Sequence, residues 1–282
     1  MSIAILYYSA TGGTQLIAEL LSESLFAKPE VRATYIGETT AEQAVREADF
    51  SVFCFPTYFL KPAWPMLEFV ERLDLRDRPR RAYIVATYEL YSENALRVLA
   101  LLLAKRGMVV VGSKSIRAPG SDLTGVFPDW LIPWLYRFER RFVPKLNTLA
   151  EDIRTLSSTS KPKTAIPRQK WYTPATWLSQ KLLLDRFIEW RHRIRVLPDR
   201  CNACGACIAG CYRQAWRFEG GLPRHLSELC DLCMRCVHHC PQKAIILVPA
   251  LKDNRRLDAD LYQQLGNLAR SECSKKVKPP SC

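Results

Sequence analysis

Long apolar runs are missing from this 282-residue chain. No stretch approaches the roughly 18 uninterrupted apolar residues that a membrane span requires. The Trp-rich segment from Val126 to Phe138 is broken by Pro128, Asp129 and Pro133. No basic residue precedes the first apolar run, Ser2 to Tyr8, so it reads as a buried strand rather than the core of a secretory signal. The expectation is a soluble, cytoplasmic protein. Two nucleotide fingerprints are absent as well: neither G-x-G-x-x-G nor the Gly-Lys-Ser/Thr of a P-loop occurs at the first strand-helix junction. Histidine is scarce, at His192, His225, His238 and His239, and no acid, base or nucleophile stands out as catalytic. That scarcity disfavours bond-making chemistry by side chains alone.

Cysteine, by contrast, is concentrated. Cys201, Cys204, Cys207 and Cys211 are followed by Cys230, Cys233, Cys236 and Cys240, each run spaced C-x2-C-x2-C-x3-C. Eight thiolates at this spacing read as ligands for two cubane iron-sulfur clusters. Each C-x2-C-x2-C turn can wrap three corners of one cubane, and the fourth cysteine points away to serve the other. Cluster I would take Cys201, Cys204, Cys207 and Cys240; cluster II would take Cys230, Cys233, Cys236 and Cys211. A structural zinc site wants two pairs of ligands with a longer spacer, and three cysteines in seven residues are too many for one tetrahedral ion. A disulfide framework fits poorly with a chain whose remainder reads as an ordinary cytosolic core. The segment resembles the bacterial two-cluster [4Fe-4S] ferredoxins. Pro241 follows the second run as it does in them, whereas Tyr212 stands where the first run would have its proline.

Along residues 1 to 118, strand and helix signals alternate five times. Strands are expected near Ile3 to Tyr8, Val31 to Ile36, Phe50 to Phe55, Ala82 to Thr87 and Met108 to Ile116, with helices such as Thr14 to Phe26 and Glu93 to Lys105 between them. This alternation implies an α/β fold, a parallel sheet covered by helices on both faces with ligand loops at the carboxyl ends of its strands. Pro56, Pro62 and Pro65 mark a loop after strand three. Strand one ends in Ser9-Ala10-Thr11-Gly12-Gly13-Thr14, where hydroxyls and free N–H groups at a helix N-terminus suit a phosphate monoester. A plain helix N-cap would use the same residue types. The run resembles the flavodoxin signature S/T-x-T-G-x-T, with Gly13 in place of the common Asn, and the resemblance covers about the first 150 residues at the level of strand order. It implies a doubly wound five-stranded parallel sheet binding flavin mononucleotide (FMN) after strands one, three and four. Pro56, Thr57, Tyr58 and Phe59 would form the second loop, with Tyr58 stacking on the flavin. Thr87 and Tyr88, followed by Glu89 to Ser92, would form the third.

The chain thus divides into a flavodoxin-like FMN domain (1–156), a basic linker and connecting helix (157–195), a small α+β ferredoxin domain (196–250) and a C-terminal helix with a disordered tail (251–282). Asp129 to Leu156 has the spacing of a long helix, Ser157 to Pro174 has linker composition, and Ala175 to Arg193 reads as a second helix. His238 and His239 read as cluster-shielding residues rather than ligands. Cys54 reads as inert in a strand, and Cys273 and Cys282 fall in the basic tail.

The formal net charge is +13. Residues 1–150 hold 18 Lys and Arg against 16 Asp and Glu, and residues 151–282 hold 23 against 12, so nearly all of the excess lies in the second half. Two oxidised clusters at about −2 each and a flavin phosphate at about −2 would leave the loaded protein near about +7. Part of the excess therefore offsets the clusters. The rest suits an acidic redox protein or reductase partner, with Arg213, Arg217, Arg235 and Lys243 as docking candidates. No nucleic-acid motif accompanies the charge. Trp and Arg around residues 130–141 and 171–195 raise peripheral membrane contact as an alternative to core packing, which is the favoured reading of those tryptophans. The functional expectation is electron transfer between FMN and two clusters, as a carrier or the electron-input part of a reductase. The alternative is a self-contained oxidoreductase reducing a small molecule or quinone at the flavin.

Overall fold

The structure, a computed structural model, describes residues 2–25, 33–77, 80–89, 92, 94–118, 130, 142–159, 163–169, 178, 186, 188–248, 256–257 and 259–276. Ahead of residue 118, β1 (Ile3–Tyr7), β2 (Thr34–Tyr35), β3 (Phe50–Tyr58), β5 (Arg80–Tyr88) and β6 (Met108–Arg117) form a parallel sheet in the order β2-β1-β3-β5-β6. The two-residue β4 (Lys61–Pro62) folds back antiparallel on β3. Leaving β4 aside, this is the 2-1-3-4-5 order of flavodoxin-like sheets, with its switch point between β1 and β3.

Central strands of such a sheet are buried on both faces and lose the polar alternation of a one-sided sheet. Phe50-Ser51-Val52-Phe53-Cys54-Phe55 of β3 is buried throughout. Alternate residues then feed two cores. Ile5, Tyr7, Phe50, Val52 and Cys54 face α1 (Gly13–Leu25) and α5 (Phe142–Ser158). Leu6, Tyr8, Phe53 and Phe55 face α2 (Ala41–Glu47), α3 (Trp64–Arg72) and α4 (Ala95–Lys105). Helix α3 begins among the prolines expected to mark a loop. Pro65 occupies its first turn, where a missing N–H costs nothing, while Pro56 lies inside β3 and Pro62 inside β4. After α4, Gly107 at φ +90° ends the helix, and a side chain there would meet the Leu75–Arg76 backbone at 2.6 Å.

Of the expected strand from Val31 to Ile36, only Thr34–Tyr35 is strand, and Val31 and Arg32 lie outside the described residues. The expected helix from Asp129 is described only from Phe142, as α5. Most of the Ala175–Arg193 segment, Leu90 and Tyr91 of the third loop, and Cys282 also fall outside. Part of the expected linker lies along the sheet edge: Ala165 N–H donates to Val110 O, and Ile166 packs on the core.

The cysteine-rich region is a doubled unit with an offset of 29 residues, seen in the pairs Cys201/Cys230, Cys204/Cys233, Cys207/Cys236 and Cys211/Cys240. Helical turns α6 (Ala206–Ala209) and α7 (Arg235–His238) obey the same offset. So do the left-handed backbones of Ala203 and Leu232, Gly205 and Met234, and Gln214 and Lys243. Strand β7 (Ile194–Val196) pairs antiparallel with β10 (Ile245–Leu247), and β8 (Trp216–Glu219) with β9 (Leu222–His225). The chain then returns to the sheet. Helix α8 (Ala259–Lys276) places Leu261, Tyr262 and Ala269 in the same core as α1 and α5, and Cys273 lies within it.

Candidate functional site

Each cysteine run is bent by residues at positive φ, among them the bulky Leu232 at +53° and Met234 at +60°. Such backbone costs roughly 1–2 kcal/mol per non-glycine residue and persists where its surroundings enforce it. The effect is to turn sulfurs inward. Cys201, Cys204, Cys207 and Cys240 line one cavity; Cys211, Cys230, Cys233 and Cys236 line another. The structure therefore brings the eight cysteines together in two crossed sets of four, three from one run and the fourth from the other.

Several features fit these sets to iron-sulfur clusters. Burial pushes the Cys207 thiol up to about 11, Cys230 to about 12 and Cys233 to about 11, and it raises Cys236 as well. Thiols so desolvated become thiolates when a metal takes the charge. Backbone N–H groups of Leu232, Ala215 and Ala244 donate to the Sγ atoms of Cys230, Cys211 and Cys240, each at 3.3 Å. Among the described residues, no group of three or more His, Cys, Asp or Glu converges closely enough to hold a single metal ion. His238 is buried and accepts the Leu257 N–H at Nδ1, 3.1 Å away.

The two sets differ in setting. Cys204 of the first set is exposed. The second set lies against the N-terminal sheet, where Tyr8 and Tyr212 line its cavity and Tyr58, Tyr212 and Cys233 pack on the core that contains Tyr8. Tyr212 meets Tyr8 edge-on at 5.9 Å, close to Arg72 of α3. The residue standing in place of proline is thus a contact between the two halves. Arg213 reinforces it, its Nη1 reaching Glu68 of α3 at 2.6 Å and its Nε reaching Asp231 at 2.5 Å. Arg235 donates to Ala10 O at 2.7 Å. Arg213 and Arg235 are engaged inside the molecule, which removes them from the candidates for partner docking. Arg217 and Lys243 remain exposed.

The three expected flavin loops converge at the carboxyl ends of β1, β3 and β5. Ser9, Ala10, Thr11, Gly13 and Thr14 are buried or nearly so, with Gly12 at φ +118° between them. Gly12 N–H donates to Ser9 Oγ at 3.0 Å, leaving the Ser9 hydroxyl proton free for another acceptor. Among the described residues, the N–H groups of Thr11, Gly13, Thr14 and Gln15 have no hydrogen-bond partner. Thr14 Oγ1 lies 2.7 Å from Thr87 Oγ1, tying the first loop to the third. In the second loop, Phe59 and Leu60 at φ +47° and +65° make a tight β3–β4 reversal in which both central residues are left-handed. Thr57 Oγ1 beside it is buried without a partner. Tyr58 and Phe59 are half-buried, as is Tyr88. Open amides, a free hydroxyl and an orphan oxygen at one sheet end fit a phosphorylated polar ligand such as FMN.

The C-terminal helix α8 closes on this same loop. The Tyr262 ring lies over Gly12, where a side chain would meet it at 2.7 Å, and Tyr262 OH donates to Thr11 Oγ1 at 3.4 Å. Apart from the apolar period of α8, nothing in the sequence signals this return.

A flavodoxin-like α/β sheet and a doubled ferredoxin-type cysteine unit thus share one chain. No family model matches it. A stretch of 54 residues is 43% identical to a ferredoxin of Pyrobaculum islandicum, covering 19% of this chain and 50% of that protein. The chain spans about half the length of this curated relative. Among solved structures, it is similar to a flavodoxin from the domain Archaea, with 17% identity, a TM-score of 0.37, and coverage of 55% of this chain and 99% of that one. It is also similar to the apo form of an NADH:FMN oxidoreductase (EMOB), with 20% identity, a TM-score of 0.41, and coverage of 59% and 96%.

Proposed function

We propose that this protein transfers electrons between FMN, held by the loops after β1, β3 and β5, and two [4Fe-4S] clusters held by the crossed cysteine sets. The observation that carries the reading is the crossing itself, with one four-sulfur set packed against the flavin-loop end of the sheet. When bound, FMN exchanges electrons singly or in pairs and each cluster exchanges one, so a chain holding both converts between the two kinds of donor.

The residues of the chain supply position and environment. Cys211, Cys230, Cys233 and Cys236 would hold cluster II on the sheet side, and Cys201, Cys204, Cys207 and Cys240 would hold cluster I on the outside. Tyr8, Tyr58 and Tyr212 fill the contact between the second set and the sheet, excluding water from it. The N–H groups that donate to Cys211, Cys230 and Cys240 would stabilise the negative charge of a cluster held there. Exposed Cys204 makes the cluster I face the place where an acidic redox partner exchanges electrons. Anaerobic purification followed by metal and flavin analysis tests the reading. It expects on the order of eight iron atoms per chain and released FMN rather than FAD. Zinc without iron, and no visible absorbance, would sink it.

A further inference from the structure

Three side chains remote in sequence hold the loop between β1 and α1. Arg235 Nη1–H donates to Ala10 O at 2.7 Å, and His239 Nε2 lies 3.3 Å from Thr11 O. A carbonyl only accepts, so His239 carries its proton on Nε2 in this contact. Tyr262 covers Gly12 and bonds the Thr11 hydroxyl. Arg235 and His239 belong to the second cysteine run: Arg235 lies between Cys233 and Cys236, and His239 directly precedes Cys240.

In a trans peptide the N–H points opposite to the C=O of the same plane. Ala10 O shares its plane with Thr11 N–H, and Thr11 O shares its plane with Gly12 N–H. Holding the two carbonyls toward the cysteine run therefore turns these two amides the other way. Thr11 N–H has no partner among the described residues, and Gly12 N–H holds Ser9 Oγ. A cation on a peptide carbonyl also polarises that peptide and strengthens its N–H as a donor.

The segment that presents Arg235 is a single helical turn of four residues following a left-handed Met234. Such a turn has no independent stability in water. Metal bonds at Cys233, Cys236 and Cys240 would fix it, and with it both contacts to the loop. We propose that the second cysteine run is a clamp on the phosphate loop, so that assembly of the clusters and retention of the flavin are coupled through Arg235 and His239. The inference rests on the flavin reading above, and makes these two residues positioning residues for a ligand they do not touch.

The test is the FMN dissociation constant of protein stripped of flavin but carrying its clusters, followed by fluorescence quenching, with cluster content read by visible absorbance and electron paramagnetic resonance. Arg235→Ala should keep both clusters and weaken FMN on the order of tenfold, the value of one charge-assisted hydrogen bond. His239→Phe should weaken it less, and His239→Gln, which keeps an N–H at similar reach, should restore it. This second pair decides the matter if Arg235→Ala loses a cluster. Wild-type protein stripped of iron by a chelator should also bind FMN more weakly. Unchanged FMN affinity in cluster-loaded Arg235→Ala and His239→Phe overturns the clamp while leaving the flavin reading intact. A wild-type protein that binds no FMN overturns both.

Discussion

Replacing Tyr212 by the proline usual at its position should leave both cysteine sets able to load metal and loosen the contact between the two halves of the chain. The Tyr212 backbone N–H has no hydrogen-bond partner among the described residues, so proline removes no backbone bond there. What disappears is the edge-on contact with Tyr8. An aromatic pair is worth about 0.5–1.5 kcal/mol beyond burial. The middle of that range, about 1 kcal/mol, is roughly a fivefold rise in the undocked population. Tyr212→Phe keeps the ring and should stay near the wild-type value.

Hydrogen exchange read by mass spectrometry would report this as faster exchange across α3 and the end of β1. Protection within the cysteine unit should stay at the wild-type level. Electron transfer inside the chain, followed after rapid reduction, should slow in Tyr212→Pro and stay near the wild-type rate in Tyr212→Phe. Wild-type exchange and wild-type transfer in the proline variant would refute the assignment of Tyr212 to the contact between halves.

Cysteine variants should sort by set and not by run: Cys211→Ser should damage the same cluster signal as Cys233→Ser, and Cys240→Ser the same one as Cys204→Ser, whereas damage grouped by run would overturn the crossing. His225 supplies a pH test, because burial first, then the charges of His192 and Arg195, hold its pKa down at about 4, with the ring against Trp216 at 4.7 Å. The unfolded state, titrating near 6.5, takes up the proton first, so this stability is present above pH 6.5 and is lost as pH falls toward 4. Discounted for partial exposure the loss is about 2 kcal/mol. His225→Phe should flatten that limb of denaturant-measured stability relative to wild type, and equal acid sensitivity would count against it. Lys243→Glu should slow transfer to an acidic carrier and reduce its salt dependence, leaving transfer inside the chain unchanged; a partner rate indifferent to salt would remove the docking idea.

The sheet was legible because its strands carry their own signal. Phe50 to Phe55 and Ala82 to Thr87 are apolar apart from Ser51 and Thr87, as strands covered on both faces tend to be, and the Ser9–Thr14 turn announces the first junction. Helix α3 was not legible, because Pro62 and Pro65 read as loop markers until it is known that one sits in a hairpin strand and the other in a first helical turn. The cysteine spacing fixes which sulfurs can meet across the doubled unit, and the two cavities gather them accordingly.

What spacing could not carry is how the halves meet. Arg213 and Arg235, charged and beside the cysteines, look like surface docking residues when only sequence distance is known; their partners, Glu68 and Ala10, are 145 and 225 residues away. Tyr212 likewise reads as a lapse from a ferredoxin pattern within its own run, and acquires a reason only from its contact with Tyr8. The same holds for Tyr262, whose period marks it as one apolar position of α8 and whose contact falls on Gly12. These four residues share one property: each belongs by sequence to the region after residue 200 and by contact to the segment before residue 118. Departures from the pattern of either half therefore collect where the halves touch, because a residue there answers to two structures and its own run specifies only one of them.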